Sequence, residues 1–428
     1  MPSRNGRPYT SRIVDSEIDA LLGQLPAILI EGAKGMGKTA TASQRAATIR
    51  RLDEPGTIEI LRADPSRMLM GAPPILLDEW QRFPESWDRV RRAVDDGAAP
   101  GSFILTGSAS PPKPETHSGA GRIVNVRMHP LSLAERAIAT SSVSLSALLL
   151  GGRTPLSGSC SCTVETYAEE IVASGFPGLR GYSGSALGAQ LDGYLARIVD
   201  RDIPDQFGRK VRKPEILKSW MAAYAAAVST TADWETIRDA AAIGGSLTKD
   251  FALTYREILK RLWILDPVEP WLPTFNHLRR LGGVPKHQLA DPALAVRLLG
   301  LGVDALLNPA KNGRRTPRDG TFLGALFESL VTQSVRVYAQ AAGAGVFHLR
   351  MAGGEQEVDL IVKRPDGKVV ALEIKLAQTV GDQDTRHLKW LQARIGDDLL
   401  DAVIISTGQE AYRRADGIAV VPAALLGA

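Results

Sequence analysis

The chain has 428 residues, 44% hydrophobic and 23% charged, the balance of a globular protein with room for two to four domains. A net charge of +4 does not by itself mark a polyanion binder, so local basic clusters carry more information than the total. The two cysteines, Cys160 and Cys162, are one residue apart, which disfavours a strain-free disulfide, supplies too few ligands for zinc and fits a reducing cytosol.

The N-terminal MPSRNGRPYTSR has no apolar h-region, and no uncharged span is long enough to cross a bilayer. The expectation is a cytoplasmic protein without membrane contact. The segment PAILIEGAKGMGKTATASQRAATI then reads as strand, loop and helix. Its centre, Gly32, Ala33, Lys34, Gly35, Met36, Gly37, Lys38 and Thr39, satisfies the P-loop spacing G-x-x-x-x-G-K-[ST]. The glycines let backbone N–H groups turn toward phosphates. Lys38 is placed to reach the β- and γ-phosphates of ATP, and Thr39 to help hold Mg²⁺. A glycine-rich turn with a chance lysine is the competing reading, and the strand before the loop and the helix after it argue against it.

PPILLDEW reads as a buried strand that delivers two acids to the ligand-binding edge of a sheet. Asp78 is the expected holder of hydrated Mg²⁺, and Glu79 the group that orients and deprotonates the attacking water. SFILTGSAS is a further buried strand, ending in Thr106 and Ser108, where a polar side chain can sense the γ-phosphate or simply form a turn. Uniformly apolar strands between helical segments predict a parallel sheet covered on both faces.

The Gly/Ser-rich run around Cys160 reads as a junction, and helices predominate from Thr163 to about Ala310. FGRKVRK carries Arg209, Lys210, Arg212 and Lys213, a basic run that suits either a phosphate or a solvated loop. From Asp233 to Trp271 the pattern is helix, turn, helix and short hairpin. Phe251, Tyr255, Ile258, Leu259 and Leu262 form a core stripe, and Lys249, Arg256, Lys260 and Arg261 lie on the remaining surface. A winged helix contacting DNA and one that only packs on its neighbours both fit. KNGRRTPRDG, residues 311–320, is a basic linker, followed by a helix to about Ala341, a strand near Val346–Met351, a hairpin, a helix near Thr385–Ile395 and a strand at Asp401–Ser406.

In the hairpin EVDLIVKRPDGKVVALEIK, a three-residue Pro-Asp-Gly loop pairs Arg364 with Lys368, Val362 with Val370 and Leu360 with Leu372. The same count sets Asp359 opposite Glu373 and Glu357 opposite Lys375. Like charges face to face destabilise a sheet, and a divalent cation would relieve them. Solvated acids with a weak Glu357–Lys375 ion pair is the plainer reading.

Several stretches together resemble a known family. RPYTSRIVDSEIDALLGQLPAILIEGAKGMGKTATA, ILLDEWQ, FILTGSAS, GAGR and HPLSLAE are similar to AAA-type bacterial ATP-binding proteins. SGFPGL, YLARIVDRDI, PKHQLADPAL and LGALFESLV are similar to the domain of unknown function that usually follows that ATPase. The resemblance implies an α/β fold: a P-loop parallel sheet (1–150), a helical linker or lid (151–210), a winged-helix-like region (211–310) and a small restriction-endonuclease-like α/β domain (311–428). It also implies that Arg122 of GAGR stabilises charge on the γ-phosphate, within the chain or on a neighbouring subunit; a surface arginine, or one paired with Glu135, is the alternative. Asp359 with Glu373-Ile374-Lys375 has the form of the PD-(D/E)xK nuclease signature, with Val358 in place of the usual proline. Glu328 falls where that superfamily places a helical glutamate. The implied chemistry has Asp359, Glu373 and the Ile374 carbonyl holding Mg²⁺, Glu328 orienting the site and Lys375 positioning or deprotonating a water. The expected activity is ATP hydrolysis directed at DNA or RNA, with metal-dependent cleavage. The alternative is a nucleotide-dependent switch or scaffold whose C-terminal domain binds DNA or a protein without cutting. A chaperone-like ATPase and a homo-oligomer both stay open.

Overall fold

The computed structural model describes residues 9–108, 119–208, 211, 213–241, 247–273, 283–308, 322–351 and 353–428. Arg209, Lys210 and Arg212 of the basic run, and the linker 311–320, lie outside the described residues.

Five short strands form the first sheet: β1 (Ala27–Glu31), β2 (Thr48–Arg51), β3 (Ile75–Asp78), β4 (Phe103–Gly107) and β5 (Val124–Arg127). Every pairing is parallel, in the order β2-β3-β4-β1-β5. The three central strands are apolar on both faces because helices cover both sides, so AILIE, ILLD and FILTG show no alternation. Since β4 lies between β1 and β3, the polar ends of all three reach one edge together. The helix after the P-loop is shorter than its alanine-rich sequence suggests. It spans Lys38–Ser43, and Thr48 and Ile49 leave it to pair with Ile75 and Leu76 as the edge strand β2. Tertiary pairing overrides local propensity there.

The second sheet has the order β11-β12-β10-β9-β8-β7. It follows β6 (Val143–Ser144) in the chain and comprises β7 (Gly345–Arg350), β8 (Glu357–Lys363), β9 (Val369–Ile374), β10 (Leu399–Ser406), β11 (Tyr412–Arg413) and β12 (Ala419–Pro422). The β8–β9 register is the one counted from the loop: Leu360 faces Leu372 and Val362 faces Val370, with Arg364 N–H donating to the Lys368 carbonyl at 2.9 Å. Gly367 has φ 92°, the left-handed geometry that ends this three-residue loop.

The helix Phe322–Ala341 joins the two sheets. Thirteen of its twenty residues are buried, on every face, so it is an internal spine rather than a surface helix. Ser334 Oγ accepts the Leu133 N–H at 3.0 Å, and Tyr338 O–H accepts the Ala134 N–H at 3.1 Å, fixing it to the first unit. Between the units lie helices Pro214–Ala226, Trp234–Ala240 and Lys249–Arg261. Antiparallel bridges Leu265–Leu289 and Val268–Lys286 come after them in the chain. Tyr255, Ile258, Leu259 and Leu262 of the apolar stripe are buried. The expected boundary at residue 150 coincides with the end of the short helix Leu145–Leu150. Val143 and Ser144 pair with β13 (Leu426–Gly427), and Ser159 bridges Glu410, so residues 143–162 lie on the C-terminal unit.

Candidate nucleotide site and C-terminal acidic cluster

The P-loop departs from β1 at Gly32, whose φ is 145°; a Cβ there would stand 2.5 Å from the Met128 carbonyl oxygen. Gly35 and Gly37 have φ of 82° and 92°. All three glycines are therefore needed for the loop's path. Lys38 Nζ donates to the Gly32 and Ala33 carbonyls at 2.9 Å each, inside the curl of the loop. Burial pushes Lys38 down to about 8, against the opposing fields of Glu79 and Asp78. Asp78 Oδ1 accepts from Thr39 Oγ1 at 2.7 Å and from Thr106 Oγ1 at 2.6 Å. The expected metal-holding pair and the expected γ-phosphate sensor thus meet at one carboxylate oxygen. Glu79 takes left-handed backbone angles (φ 57°, ψ 48°), unusual for a non-glycine residue, and its N–H donates to Thr106 Oγ1 at 3.2 Å. Its carboxylate accepts from Gln81 Nε2 at 2.6 Å. The glycine cradle, the buried ammonium and the Thr39–Asp78 contact fit a nucleoside triphosphate with Mg²⁺.

Arg12, buried, locks the loop from behind. It donates to the Met36 carbonyl at 2.9 Å and the His129 carbonyl at 2.7 Å, and pairs with Glu135 at 2.9 Å. Nothing in the P-loop pattern signals this residue. Arg122 is not brought to the site. It precedes β5, whose Val124 is level with Ile28, whereas Arg127 is the residue level with Glu31 at the nucleotide edge. Arg122 forms an ion pair with Asp95, not Glu135, so within its own chain it lies at the opposite edge of the sheet.

The segment after the junction folds onto the P-loop. The rings of Phe176 and Tyr194, 5.0 Å apart, lie against Gly35, and Pro177 against Gly37. Tyr194 O–H donates to the Lys34 carbonyl at 3.1 Å. Lys34 Nζ pairs with Asp202, which is 6% exposed and closes the π-helical turn Ile198–Asp202. Arg82, just beyond the Asp78–Glu79 pair, reaches Asp205 at 3.2 Å.

In the C-terminal unit two of the four signature residues, Glu328 and Asp359, are held by a lysine, while Glu373 and Lys375 pair with each other. Lys286 Nζ lies 2.8 Å from Glu328, 3.0 Å from Asp359 and 3.4 Å from Glu357, and its side chain is 1% exposed. Asp359 uses its other oxygen to accept the Ile374 N–H at 2.8 Å. Burial works against the Asp359 charge, yet Lys286 and that N–H hold it below its usual range. Burial pushes Glu328 up to about 8 in spite of Lys286, and burial with the Asp359 charge also raises Glu373. Lys375 pairs with Glu373 at 2.8 Å, and Glu357 with Arg350 at 2.7 Å, so the expected Glu357–Lys375 pair does not form. Glu373 Oε2 is buried without a hydrogen-bond partner. Among the described residues no group of three or more His, Cys, Asp or Glu side chains is arranged to hold a metal. The Mg²⁺ set Asp359, Glu373 and Ile374 therefore does not fit as it stands, because an ammonium lies among the carboxylates.

The parallel sheet, the P-loop and the acid pair at its edge are the arrangement of a P-loop ATPase. In keeping with this, residues 24–137 match the family described as AAA domain, which implies ATP and, as usual for the class, Mg²⁺. Residues 164–305 and 323–426 match two families described as domains of unknown function, DUF8612 and DUF4143. The chain is 24% identical over 410 residues to uncharacterized proteins of Mycobacterium bovis and Mycobacterium tuberculosis, covering 94% of this chain and 81% of each relative. Among solved structures it is similar to the Walker-type ATPase of Pyrococcus abyssi, with a TM-score of 0.39 and 18% identity over 70% of this chain and 98% of that one. Among the described residues no helix is long and apolar enough to cross a membrane.

Proposed function

We propose that the chain is an ATP-driven conformational switch whose C-terminal unit binds DNA or a protein without cutting it. The observation that carries this reading is the ion pair between Lys34, inside the phosphate-binding loop, and the buried Asp202 of the following segment. A phosphate entering the loop competes with Asp202 for the same ammonium. The Tyr194, Phe176 and Pro177 contacts and the Arg82–Asp205 pair then give that competition a route into the middle region.

In this reading Lys38 would engage the β- and γ-phosphates, Thr39 and Asp78 would hold Mg²⁺, Glu79 would orient and deprotonate the attacking water, and Thr106 would read the γ-phosphate through its contact with Asp78. Mg²⁺ supplies neutralisation of the phosphate charge. Hydrogen exchange tests the switch. ATP with Mg²⁺ should change protection of residues 194–207 in the wild type, and Lys34→Ala should remove that change while folding persists. Equal protection with and without nucleotide would refute it.

Metal-dependent cleavage of nucleic acid is the second reading. Its support is that Glu328, Asp359, Glu373 and Lys375 share one neighbourhood in the order of the signature. Incubating labelled single- and double-stranded DNA and RNA with Mg²⁺ or Mn²⁺, with and without ATP, separates the two readings. An Asp359→Ala control must abolish any cleavage seen.

A further inference from the structure

We propose that Lys286 is the resident cation of the acidic cluster: its ammonium takes the place of a divalent metal and latches the middle region to the C-terminal unit. This rests on the C-terminal half of the reading above and is independent of the ATPase half.

The argument begins with charge. Glu328, Glu357 and Asp359 converge on one point, and Asp359, which accepts the Ile374 N–H beside Glu373, brings that fourth carboxylate within its field, so four carboxylates share one largely buried neighbourhood. Uncompensated buried charge on that scale is not tolerated; it must be paired, neutralised or bound to a metal. Lys286 answers the need from outside the unit. Its backbone is pinned by reciprocal hydrogen bonds with Val268, both 2.9 Å, so the lysine stands on a fixed ribbon and not on a mobile loop. That ribbon also extends the second sheet. Pro270 bridges His348 of the edge strand β7, Trp271 N–H donates to the His348 carbonyl at 2.7 Å, and His348 Nε2 lies 3.0 Å from the Val284 carbonyl oxygen. The sheet edge is thereby covered, and the ammonium is delivered to the acids from the same side.

The distances are those of an ammonium. Nζ donates to Glu328 at 2.8 Å and to Asp359 at 3.0 Å, ordinary N–H···O distances, and Glu357 adds an ion pair at 3.4 Å. A divalent ion at that point would need the oxygens drawn in to roughly 2.0–2.6 Å. Lys286 spans three of the four acids. The fourth, Glu373, pairs with Lys375 through one oxygen and keeps the other buried without a partner. A lysine differs from a metal in being covalently part of the middle region. Holding the cluster together therefore also holds the two units together.

Mn²⁺ titration followed by electron paramagnetic resonance, with full-length protein and no nucleotide, is the first test. The wild type should take up no Mn²⁺ at the cluster, and its melting temperature should be the same in EDTA and in millimolar Mn²⁺. Lys286→Met should lower the melting temperature in EDTA by about 5 °C or more, as expected for breaking a buried pair. Mn²⁺ should restore much of that loss, and Lys286→Met combined with Asp359→Asn should not be restored. Tight Mn²⁺ uptake by the wild type that disappears in Asp359→Asn would overturn the proposal, and so would a Lys286→Met protein as stable as the wild type and indifferent to Mn²⁺. Should Lys286→Met fail to fold with or without Mn²⁺, the wild-type titration alone decides. ATP turnover by the wild type in Mg²⁺ reports on the P-loop separately, so failure of one half is not mistaken for failure of the other.

Discussion

At Lys38, full burial pushes the ammonium down to about 8, so in the absence of phosphate it loses its proton within the mildly alkaline range. Phosphate binding needs the charged form. Above pH 8 the site must take up a proton to bind, and nucleotide affinity should fall by up to about tenfold per pH unit. Below that value the proton is already present and affinity should level off; titration with a fluorescent nucleotide between pH 7 and 9.5 checks the sign. Lys38→Ala removes the ammonium held inside the curl of the P-loop, and ATP turnover should drop by at least ~100-fold in a phosphate-release assay. Unchanged turnover would refute the role given to the loop. Lys38 was legible because the loop that cradles it is spelled out within eight residues of sequence. Lys286 was not. It is 42 residues from Glu328 and 73 from Asp359, and no periodicity links them. The like-charge conflict in the hairpin raised a divalent cation as one reading beside solvated acids; the sequence alone could not say that the protein supplies the cation.

Among the elements, the hairpin register followed from its loop because side-chain alternation and turn geometry both fix it locally. The central strands β1, β3 and β4 were legible as unbroken apolar runs. Strand β2, with its sequence TIRR, was not, since its place is set by pairing with β3 and not by its own pattern. The spine helix was expected from its apolar residues, but its burial on every face depends on neighbours from both sides of it in the chain, among them the helices Val14–Leu22 and Val164–Ala173 and strand β7. Two of its polar side chains give a test. Ser334→Ala and Tyr338→Phe each leave a buried backbone N–H, of Leu133 or Ala134, without its acceptor. Each should cost about 1–3 kcal/mol in urea unfolding, with faster hydrogen exchange near residues 133–134. A loss below the error of the measurement would mean that the helix does not brace the first unit as described.

On the scale of the molecule, the stretches SGFPGL and YLARIVDRDI contact the P-loop, a relation between regions 140 or more residues apart that composition cannot reveal. Asp202→Asn frees Lys34 for phosphate while keeping the shape of the side chain. Nucleotide affinity should rise by roughly threefold to tenfold, about 1 kcal/mol, while the nucleotide response of residues 194–207 is lost. Isothermal titration and hydrogen exchange read the two effects separately, and an Asp202→Asn protein that keeps the full response would sink the coupling.

The stretch 143–162, docked on the far unit, imposes an order on biosynthesis. Ser141 Oγ contacts the Leu426 carbonyl across 285 positions of chain. At 5–20 residues per second, a ribosome leaves that stretch waiting roughly 15–60 s for its companion strand. During that interval Leu145, Leu148 and Leu149, buried in the finished protein, have nothing to cover them. A nascent chain of this design therefore presents a sticky, half-made surface to the cell well before it can close, and holding factors at the exit tunnel would decide its yield.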